Sequence, residues 1–309
     1  MRKLWLIWLL VFSGWLWLPG QRNVALLDAP VRSLQRVHVD KDGQEAYPFV
    51  LDRGLIYLEA QLEGTPGAYI LDTGAPGLVI NEEPTKPNEA YYAQSCAQEV
   101  EIGVRPVEHF AWGDREWQEM EAIALDLQHL KLKQEHVVNG LLGYELLQEY
   151  VVLLNYQQEQ LCLLERPMNL ALHQPLARLP FVLEGHLPVV EVKVGPHTLR
   201  LGVDTGSASN ILDASWYATL QSSMEKVRQE ELQGLDQTVH RVEAVELRHL
   251  QFGEGVLDTR FLLLDLSHLQ TSTTLPLDGL LGHDFLANFT VAIDYPRNEI
   301  LLWPAHLER

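Results

Sequence analysis

The chain has 309 residues and a formal net charge of −19 at pH 7, from 42 acidic and 23 basic side chains. Apolar residues make up 47% of the chain, which is enough to fill the cores of two domains. So acidic a composition argues against a nucleic-acid partner, because phosphate backbones are bound by basic side chains.

The N-terminus has the pattern of an export signal. Two basic residues precede an almost wholly apolar run at residues 4–18, which ends at Pro19 and Gly20. The run is short for a membrane-spanning helix, and no small-residue cleavage pattern follows it. Residues 1–20 are therefore predicted to be either a cleaved signal peptide or a retained anchor that attaches the protein to a membrane. Both alternatives predict an exported protein, periplasmic or extracellular.

Short strands dominate the predicted secondary structure. Apolar runs bounded by turn residues predict strands. These runs are residues 55–62, 68–71, 78–80, 100–102 and 120–125. Residues 81–94 contain two prolines and predict a loop, whereas 213–220 predict a short helix with Asp213 as its N-cap. Two more short helices are predicted at 144–149 and 283–288, so the pattern indicates a mostly β protein.

The tripeptide Asp-Thr-Gly occurs twice, each time directly after a strand-like apolar run. The first copy is at residues 72–74 and the second at 204–206, which is 132 residues (204 − 72) further on. Upstream, the segments Pro-Phe-Val-Leu at 48–51 and 180–183 have the same separation. One copy alone would be explained as a turn. Two copies at equivalent positions of an aligned repeat indicate a duplicated unit with a functional loop in each copy.

A second pair of repeats lies downstream. Gly-Leu-Leu-Gly at 140–143 recurs at 279–282, which is 139 residues later (279 − 140), and the strand-like run that follows it recurs with the same offset. The chain is therefore predicted to consist of two units, at residues 46–166 and 178–305. The linker between them is short, so the units are expected to pack against each other.

With these motifs the chain resembles the aspartic proteases. The resemblance is to a bilobal, pepsin-like arrangement of two retropepsin-like units, as in bacterial-type aspartyl proteases, and it covers both repeats. It implies a mostly β fold of two homologous closed β-barrel lobes with a few short helices. It also implies that one aspartate from each lobe meets the other at the lobe interface, in a monomer whose lobes pair within one chain.

Asp72 and Asp204 are the predicted catalytic residues. Two carboxylates at close range share a proton, because both cannot ionise cheaply. One then activates a water molecule as general base, while the other protonates the scissile carbonyl. Which aspartate is the base stays open, since the two pKa values belong to the pair. The predicted activity is that of an endopeptidase acting on a peptide or protein substrate, with no cofactor and no metal.

Five neighbouring residues are predicted to support this pair: Thr73, Gly74, Thr205, Gly206 and Ser207. The glycines let the chain turn sharply with no side chain in the way. The resemblance implies that the threonines hydrogen-bond across the interface. It also implies that Ser207 provides a hydroxyl beside its aspartate, where the first unit has Ala75 instead.

The resemblance further implies a flap, which is a hairpin that closes over the substrate. In the second unit the candidate is residues 232–240, with Gly234 and Asp236 as substrate-binding residues. In the first unit a shorter flap is expected around residues 98–107. An ordinary surface hairpin is the alternative in both units.

The two cysteines, Cys96 and Cys162, have no metal-binding spacing. Cys162 lies in an apolar run and is predicted to be a small buried hydrophobic residue. An exported protein would nevertheless permit a disulfide between the two, so pairing stays open.

Two other functions are consistent with the same motifs. The chain could be an inactive peptide-binding protein that retains the protease fold. Alternatively, each unit could pair with a unit of another chain, in which case activity would depend on protein concentration.

Overall fold

A computed structural model of the chain describes residues 45–84, 91–95, 99–128, 130, 137–165, 174–233, 239–267 and 276–305, together with backbone strands at 4–9 and 38–39. The described residues form a mostly β protein, as predicted, and none of their α-helices is longer than four residues. None of these helices is long and apolar enough to cross a membrane.

In the described residues of the first half there are thirteen strands and one short helix. They are β1 (Leu4–Leu9), β2 (His38–Val39), β3 (Glu45–Pro48), β4 (Val50–Asp52), β5 (Leu55–Leu62), β6 (Thr65–Leu71), β7 (Leu78–Asn81), β8 (Tyr91–Ser95), β9 (Glu99–Trp112), β10 (Arg115–Leu125), β11 (Val138–Leu142), α1 (Tyr144–Leu147), β12 (Val151–Asn155) and β13 (Gln160–Leu164).

The second half repeats much of this order. It contains β14 (Ala177–Glu184), β15 (Leu187–Val194), β16 (His197–Val203), β17 (Asn210–Asp213), α2 (Tyr217–Leu220) between two 3₁₀ turns (Ala214–Trp216 and Gln221–Ser223), β18 (Met224–Gln233), β19 (Val239–Phe252), β20 (Gly255–Leu264), β21 (Gly279–Leu281), α3 (His283–Leu286), β22 (Phe289–Asp294), a 3₁₀ turn (Tyr295–Arg297) and β23 (Glu299–Pro304).

Each half contains a closed ring of six strands. In the first half the order is β5-β6-β11-β7-β10-β9, and β9 pairs back onto β5 through Gln61↔Ala111 and Leu62↔Phe110. In the second half the order is β15-β16-β21-β17-β20-β19, closed by the pair Lys193↔Gln251. Closure of a sheet removes its exposed edges, and the ring interiors are filled by apolar side chains such as Phe110.

One strand of each ring contains the first three residues of the Gly-Leu-Leu-Gly segment. In the first half β11 lies between β6, to which it is parallel, and β7, to which it is antiparallel. In the second half β21 lies between β16 and β17 in the same way. A Cβ atom on Gly140 would lie 2.0 Å from the carbonyl oxygen of Val79, and one on Gly279 would lie 2.1 Å from that of Ile211. The first glycine of each motif is therefore required by this close approach.

The sheet of the second ring continues through β14, which pairs with β15, and joins the two halves. The order of the joining strands is β14-β23-β22-β12-β13-β3-β2, and the junction is the antiparallel pair of β12 with β22. The pairing runs from Val151↔Asp294 to Asn155↔Thr290. This junction brings the segments that follow the two Gly-Leu-Leu-Gly motifs into direct contact.

Most of the predicted elements are present, with one clear error. The strand at 55–62 has the predicted bounds, and Asp213 caps its helical segment by accepting a hydrogen bond from the backbone N–H of Ser215. Residues 81–94 are not all loop, because residues 91–95 form β8, which pairs with β9. Cys162 is buried as predicted, while Cys96 lies outside the described residues.

Candidate active site

The two Asp-Thr-Gly loops follow β6 and β16 and are built from matching hydrogen bonds. The backbone N–H of Asp72 donates to the carbonyl of Leu142 at 3.0 Å, and that of Asp204 donates to Leu281 at 3.0 Å. Each aspartate then turns its Oδ1 back to the glycine two residues later, at 2.8 Å in both loops. In each half the strand with the Gly-Leu-Leu-Gly segment, β11 or β21, therefore holds the backbone of the aspartate. The glycine N–H orients the carboxyl group of the aspartate.

Thr73 and Thr205 lock the two loops together. The backbone N–H of Thr73 donates to Oγ1 of Thr205 at 3.1 Å, and the reciprocal bond is 3.0 Å long. Each hydroxyl then donates to a carbonyl of the opposite half, Thr73 to Val203 at 2.8 Å and Thr205 to Leu71 at 2.9 Å. Both side chains are buried, so these four bonds are not exposed to competition from water.

The lock brings the two aspartates into contact. A Cβ atom on Gly206 would lie 2.5 Å from Cγ of Asp72, so the Asp72 carboxyl group rests directly on the loop that carries Asp204. The two carboxyl groups are close enough for a hydrogen bond between them, and neither side chain is exposed. The outer oxygen of each, Oδ2, is buried and has no hydrogen-bond partner among the described residues.

Burial dominates the acidity of the pair. It raises the pKa of Asp72 to about 7, against the weaker opposing effect of the hydrogen bonds that this carboxyl group receives. Burial also raises the pKa of Asp204 well above its usual value, and the negative charge of Asp72 raises it further. Two carboxyl groups in this environment hold one proton between them near neutral pH.

Aromatic rings from both halves line the buried side of the pair. Tyr156 packs against His283 with ring centres 5.4 Å apart, and Tyr295 packs against Tyr144 at 5.5 Å. Both of these contacts join one half to the other. Burial raises the pKa of Tyr156 and Tyr295, and the charges of the aspartates add to the effect. The rings keep this side of the site apolar, which contributes to the raised pKa values of the aspartates.

Ser207 has a different role from the one that the resemblance implies. Its hydroxyl donates to the carbonyl of Ser209 at 2.7 Å, within its own loop, and not to the carboxyl group of Asp204. Ala75, at the equivalent position, is also fully buried. The serine therefore braces its loop, and in this structure it does not stabilise the ionised form of the neighbouring aspartate.

The flap candidate at 232–240 spans the end of β18 and the start of β19, whereas residues 99–107 of the other candidate lie on the single strand β9. In the second half β18 and β19 pair from Met224↔Leu247 to Gln233↔Val239. Gly234 and Asp236 lie outside the described residues, so their role stays a prediction. In the first half β8 pairs with β9 only from Tyr91↔Ile102 to Gln94↔Glu99.

An ion network connects the longer hairpin to the second loop. Arg260 donates to Glu230 of β18 at 2.7 Å, to Asp284 of α3 at 3.1 Å and to the hydroxyl of Ser209 at 2.9 Å. Sequence reasoning missed Arg260 and Glu230, since no local motif surrounds them. The equivalent positions of Arg260 and Asp284 in the first half carry Glu121 and Glu145, so the charge pattern there is not the same.

Sequence reasoning also missed His186, which follows the turn glycine between β14 and β15. Its side chain is buried, and Nε2 lies 2.6 Å from the carbonyl oxygen of Gly74 in the other half. Tyr156 and Tyr295 were not predicted as site residues either, although their recurrence at the ends of the repeated segments was a usable signal. No cluster of three potential metal-ligating side chains occurs in the part of the chain that the structure describes.

Comparison with known proteins supports the class of protein that this site suggests. Residues 190–285 match the family model described as aspartyl protease. The matched segment contains the Asp204 loop and β21, whereas the Asp72 loop lies outside it. No curated protein matches the chain. The match supports an aspartyl protease family, and with it a protease and hydrolase function in general terms.

Proposed function

We propose that the protein is an aspartic endopeptidase in which Asp72 and Asp204 form one catalytic pair, contributed by two homologous lobes of a single chain. The observation that carries this proposal is the reciprocal bonding of Thr73 and Thr205, which holds the two loops face to face with buried carboxyl groups in contact. A rigid joint of this kind is what a reaction between two side chains from distant parts of the sequence requires.

The chemistry uses one proton shared by the pair. The ionised carboxylate accepts a proton from a water molecule as the water oxygen attacks the scissile carbonyl carbon, and the protonated carboxyl group donates its proton to the carbonyl oxygen. The tetrahedral intermediate then collapses: the carbon–nitrogen bond breaks as the amine nitrogen takes a proton from the protonated carboxyl group, and one hydroxyl of the intermediate returns a proton to the other carboxylate as the carbonyl re-forms. The raised pKa values support this sequence of steps, because they keep one carboxyl group protonated near neutral pH.

The outer oxygens give a physical argument against a binding-only role. Each Oδ2 is buried without a hydrogen-bond partner among the described residues, and an unsatisfied buried acceptor costs about 1–3 kcal/mol. A protein that only bound peptides would be more stable with uncharged residues at both positions. A water molecule bridging the two outer oxygens would satisfy them, and that molecule is the nucleophile in the proposed reaction.

The remaining features follow from the same proposal. The substrate is a peptide or protein, bound in extended form, and neither a cofactor nor a metal takes part. The protein acts as a monomer with its lobes paired within one chain. We also propose that residues 1–20 direct its export to the periplasm or the cell exterior, either as a cleaved signal or as a membrane anchor.

The test is peptide cleavage by the full chain, purified in a mild detergent, across pH 3 to 8 with and without pepstatin. We expect inhibitor-sensitive cleavage, and we expect Asp72→Asn and Asp204→Asn each to lower kcat by at least about a hundredfold, the contribution of a general acid or base. Asp126→Asn is the matched control, because in the described part of the chain its carboxylate accepts an exposed hydrogen bond from the backbone N–H of Gln128.

Two outcomes would decide against the proposal. Peptide binding without cleavage at any pH would favour the inactive binding protein. Specific activity that rises with protein concentration would favour pairing between chains, because an intramolecular pair is independent of concentration.

A further inference from the structure

One turn in each half packs against the catalytic loop of the other half, and the two turns differ. In the first half the turn between β4 and β5 presents Gly54, where a Cβ atom would lie 3.0 Å from Cβ of Ala208. In the second half the equivalent residue, 132 positions later (186 − 54), is His186. The loop of Asp72 therefore receives a side chain from the opposite half at a place where the loop of Asp204 receives none.

The contact made by His186 is a directed hydrogen bond. A carbonyl oxygen can only accept, so Nε2 must carry the hydrogen that it donates to Gly74. Burial lowers the pKa of His186 to about 4, and the bond to Gly74 opposes this effect only in part. No charged side chain contributes to the shift, so the imidazole stays neutral over the pH range in which a carboxyl pair works.

The accepting carbonyl belongs to a peptide group that acts on Asp72. The carbonyl of Gly74 and the N–H of Ala75 form one peptide unit, and this N–H donates to the backbone oxygen of Asp72 at 3.1 Å. The same N–H also lowers the pKa of the Asp72 carboxyl group. A hydrogen bond received by the carbonyl polarises the unit and strengthens its N–H as a donor.

The loop of Asp204 lacks this support. The equivalent N–H, that of Ser207, donates to the backbone oxygen of Asp204 at the longer distance of 3.3 Å. No hydrogen bond to the carbonyl of Gly206 is found in the described residues. The two loops have matching internal hydrogen bonds. In the described residues they differ because the carbonyl of Gly74 accepts a hydrogen bond from the other half, whereas the carbonyl of Gly206 does not.

We propose that His186 is a positioning residue which, through the Gly74 carbonyl, biases the shared proton so that Asp72 ionises first and acts as the general base. This inference rests on the proposed function, since it assumes that the pair is catalytic. The inference assigns different roles to Asp72 and Asp204, which occupy equivalent positions in the two halves.

The first experiment measures the pH dependence of cleavage by His186→Met and His186→Gln. Methionine fills the space without a donor, whereas the glutamine amide can donate in place of Nε2. We expect His186→Met to lower kcat about tenfold with KM little changed, the effect of losing about one hydrogen bond. We also expect the acidic limb of its profile to move up by about one pH unit, because a base that ionises less readily needs a higher pH.

The glutamine variant and a surface control make the result specific. His186→Gln should recover most of the rate and the wild-type limb. His109→Gln changes a partly exposed histidine of β9 that lies near Glu116, and it should have no effect. A folded His186→Met variant with the wild-type profile would overturn the proposal, as would a glutamine variant no better than methionine.

The second experiment does not depend on activity. In full-length protein labelled with ¹³C at the aspartate carboxyl carbons, Asp204→Asn leaves Asp72 to titrate alone, and Asp72→Asn leaves Asp204. We expect Asp72 to titrate at the lower pH, and we expect His186→Gln or His186→Met to move the titration of Asp72 more than that of Asp204. Equal movement of both carboxyl groups, or the reverse order, would overturn the inference. Absence of cleavage by the wild-type protein would instead overturn the proposed function and leave this titration as a valid test.

Discussion

The two Asp-Thr-Gly loops have nearly identical internal hydrogen bonds but make different contacts with the rest of the protein. Within the loops the bonds from Gly74 to Asp72 and from Gly206 to Asp204 have the same length of 2.8 Å, and the threonine bonds are reciprocal. Outside the loops, His186 supports one of them and has only Gly54 as its counterpart. The difference suggests that the joint between the halves must be symmetric to bring the carboxyl groups together, whereas the surroundings are free to make the two carboxyl groups unequal.

The charged side chains that lie behind the two loops, called here the walls of the loops, also differ. They are Arg260, Glu230 and Asp284 behind the second loop, and Glu145 and Glu121 behind the first. Behind the second loop Arg260 bridges Glu230 and Asp284, so three charged groups are paired. Behind the first loop Glu145 lies against Gly77, and its pKa is raised by partial burial and by the charge of Glu121. One wall is thus held by opposite charges, while the other contains like charges that repel.

The largest expected effect comes from breaking the symmetric joint. Thr73→Val or Thr205→Val keeps the shape but removes a hydroxyl that makes two buried bonds, which leaves a buried N–H and a buried carbonyl unpaired. We expect each substitution to lower the free energy of unfolding by about 3 kcal/mol and to abolish cleavage. Urea denaturation measures the loss. Thr198→Val, at an exposed position of β16, is the control and should change stability little.

Similar losses from Thr73→Val and Thr205→Val would support a joint to which both halves contribute equally. A loss from only one of them would contradict that symmetry and would mean that one loop is held mainly by its own half.

The second effect is the pH dependence of stability caused by the aspartates. Because burial raises the folded-state pKa of both carboxyl groups above the unfolded value near 4, the folded state binds more protons than the unfolded state between that value and about pH 7. The pair therefore lowers stability as the pH rises through this window, and its contribution is most favourable at low pH.

Asp72→Asn and Asp204→Asn should each remove part of the stability that is lost as the pH rises. We expect both variants to unfold at higher urea concentration than the wild type at pH 7, by on the order of 3 kcal/mol, with the advantage shrinking toward pH 4. Urea midpoints at several pH values measure this, with Asp126→Asn as the reference. An advantage that stays constant with pH would show that the carboxyl groups do not titrate in this range.

Sequence reasoning found the parts of the site that are encoded by short, repeated segments. The two Asp-Thr-Gly loops and their threonines could be predicted because the same local pattern occurs twice in the sequence. β8 was missed because its sequence, Tyr-Tyr-Ala-Gln-Ser, has no strict alternation and follows two prolines. His186 and Arg260 could not be predicted, since each acts on a residue that is far away in sequence and no local pattern encodes such a contact.

The common ancestry of the two halves, the export signal at residues 1–20 and the flap residues Gly234 and Asp236 stay predictions. Gly234 and Asp236 lie outside the described residues.

A third and smaller effect would come from the ion network of Arg260, Glu230 and Asp284 behind the second loop. Arg260→Met removes one of the two arginine partners of the almost fully buried Glu230, the other being Arg228, and a partner of the partly buried Asp284. We expect a loss of about 2 kcal/mol, less than for a fully buried ion pair because Arg260 is partly exposed. Urea denaturation measures it, and Arg178→Met is the control because Arg178 itself is mostly exposed beside its partner Glu299. If both substitutions cost the same, the network would have no special role in holding β18 to the second loop.

The smallest effect should have the opposite sign and would come from the like-charged wall. Glu121→Gln removes a negative charge that faces Glu145, and this repulsion is weak because both side chains are largely exposed to solvent. We expect the substitution to stabilise the protein by only about 0.3 kcal/mol, and to do so less at high salt, because ions screen exposed charges. Glu116→Gln, on the same strand but beside His109, is the matched control and should not stabilise. Urea midpoints at low and high salt measure the difference. A destabilising Glu121→Gln would mean that the first wall is held by contacts of this carboxylate, and the contrast in charge between the two walls would then have no energetic consequence.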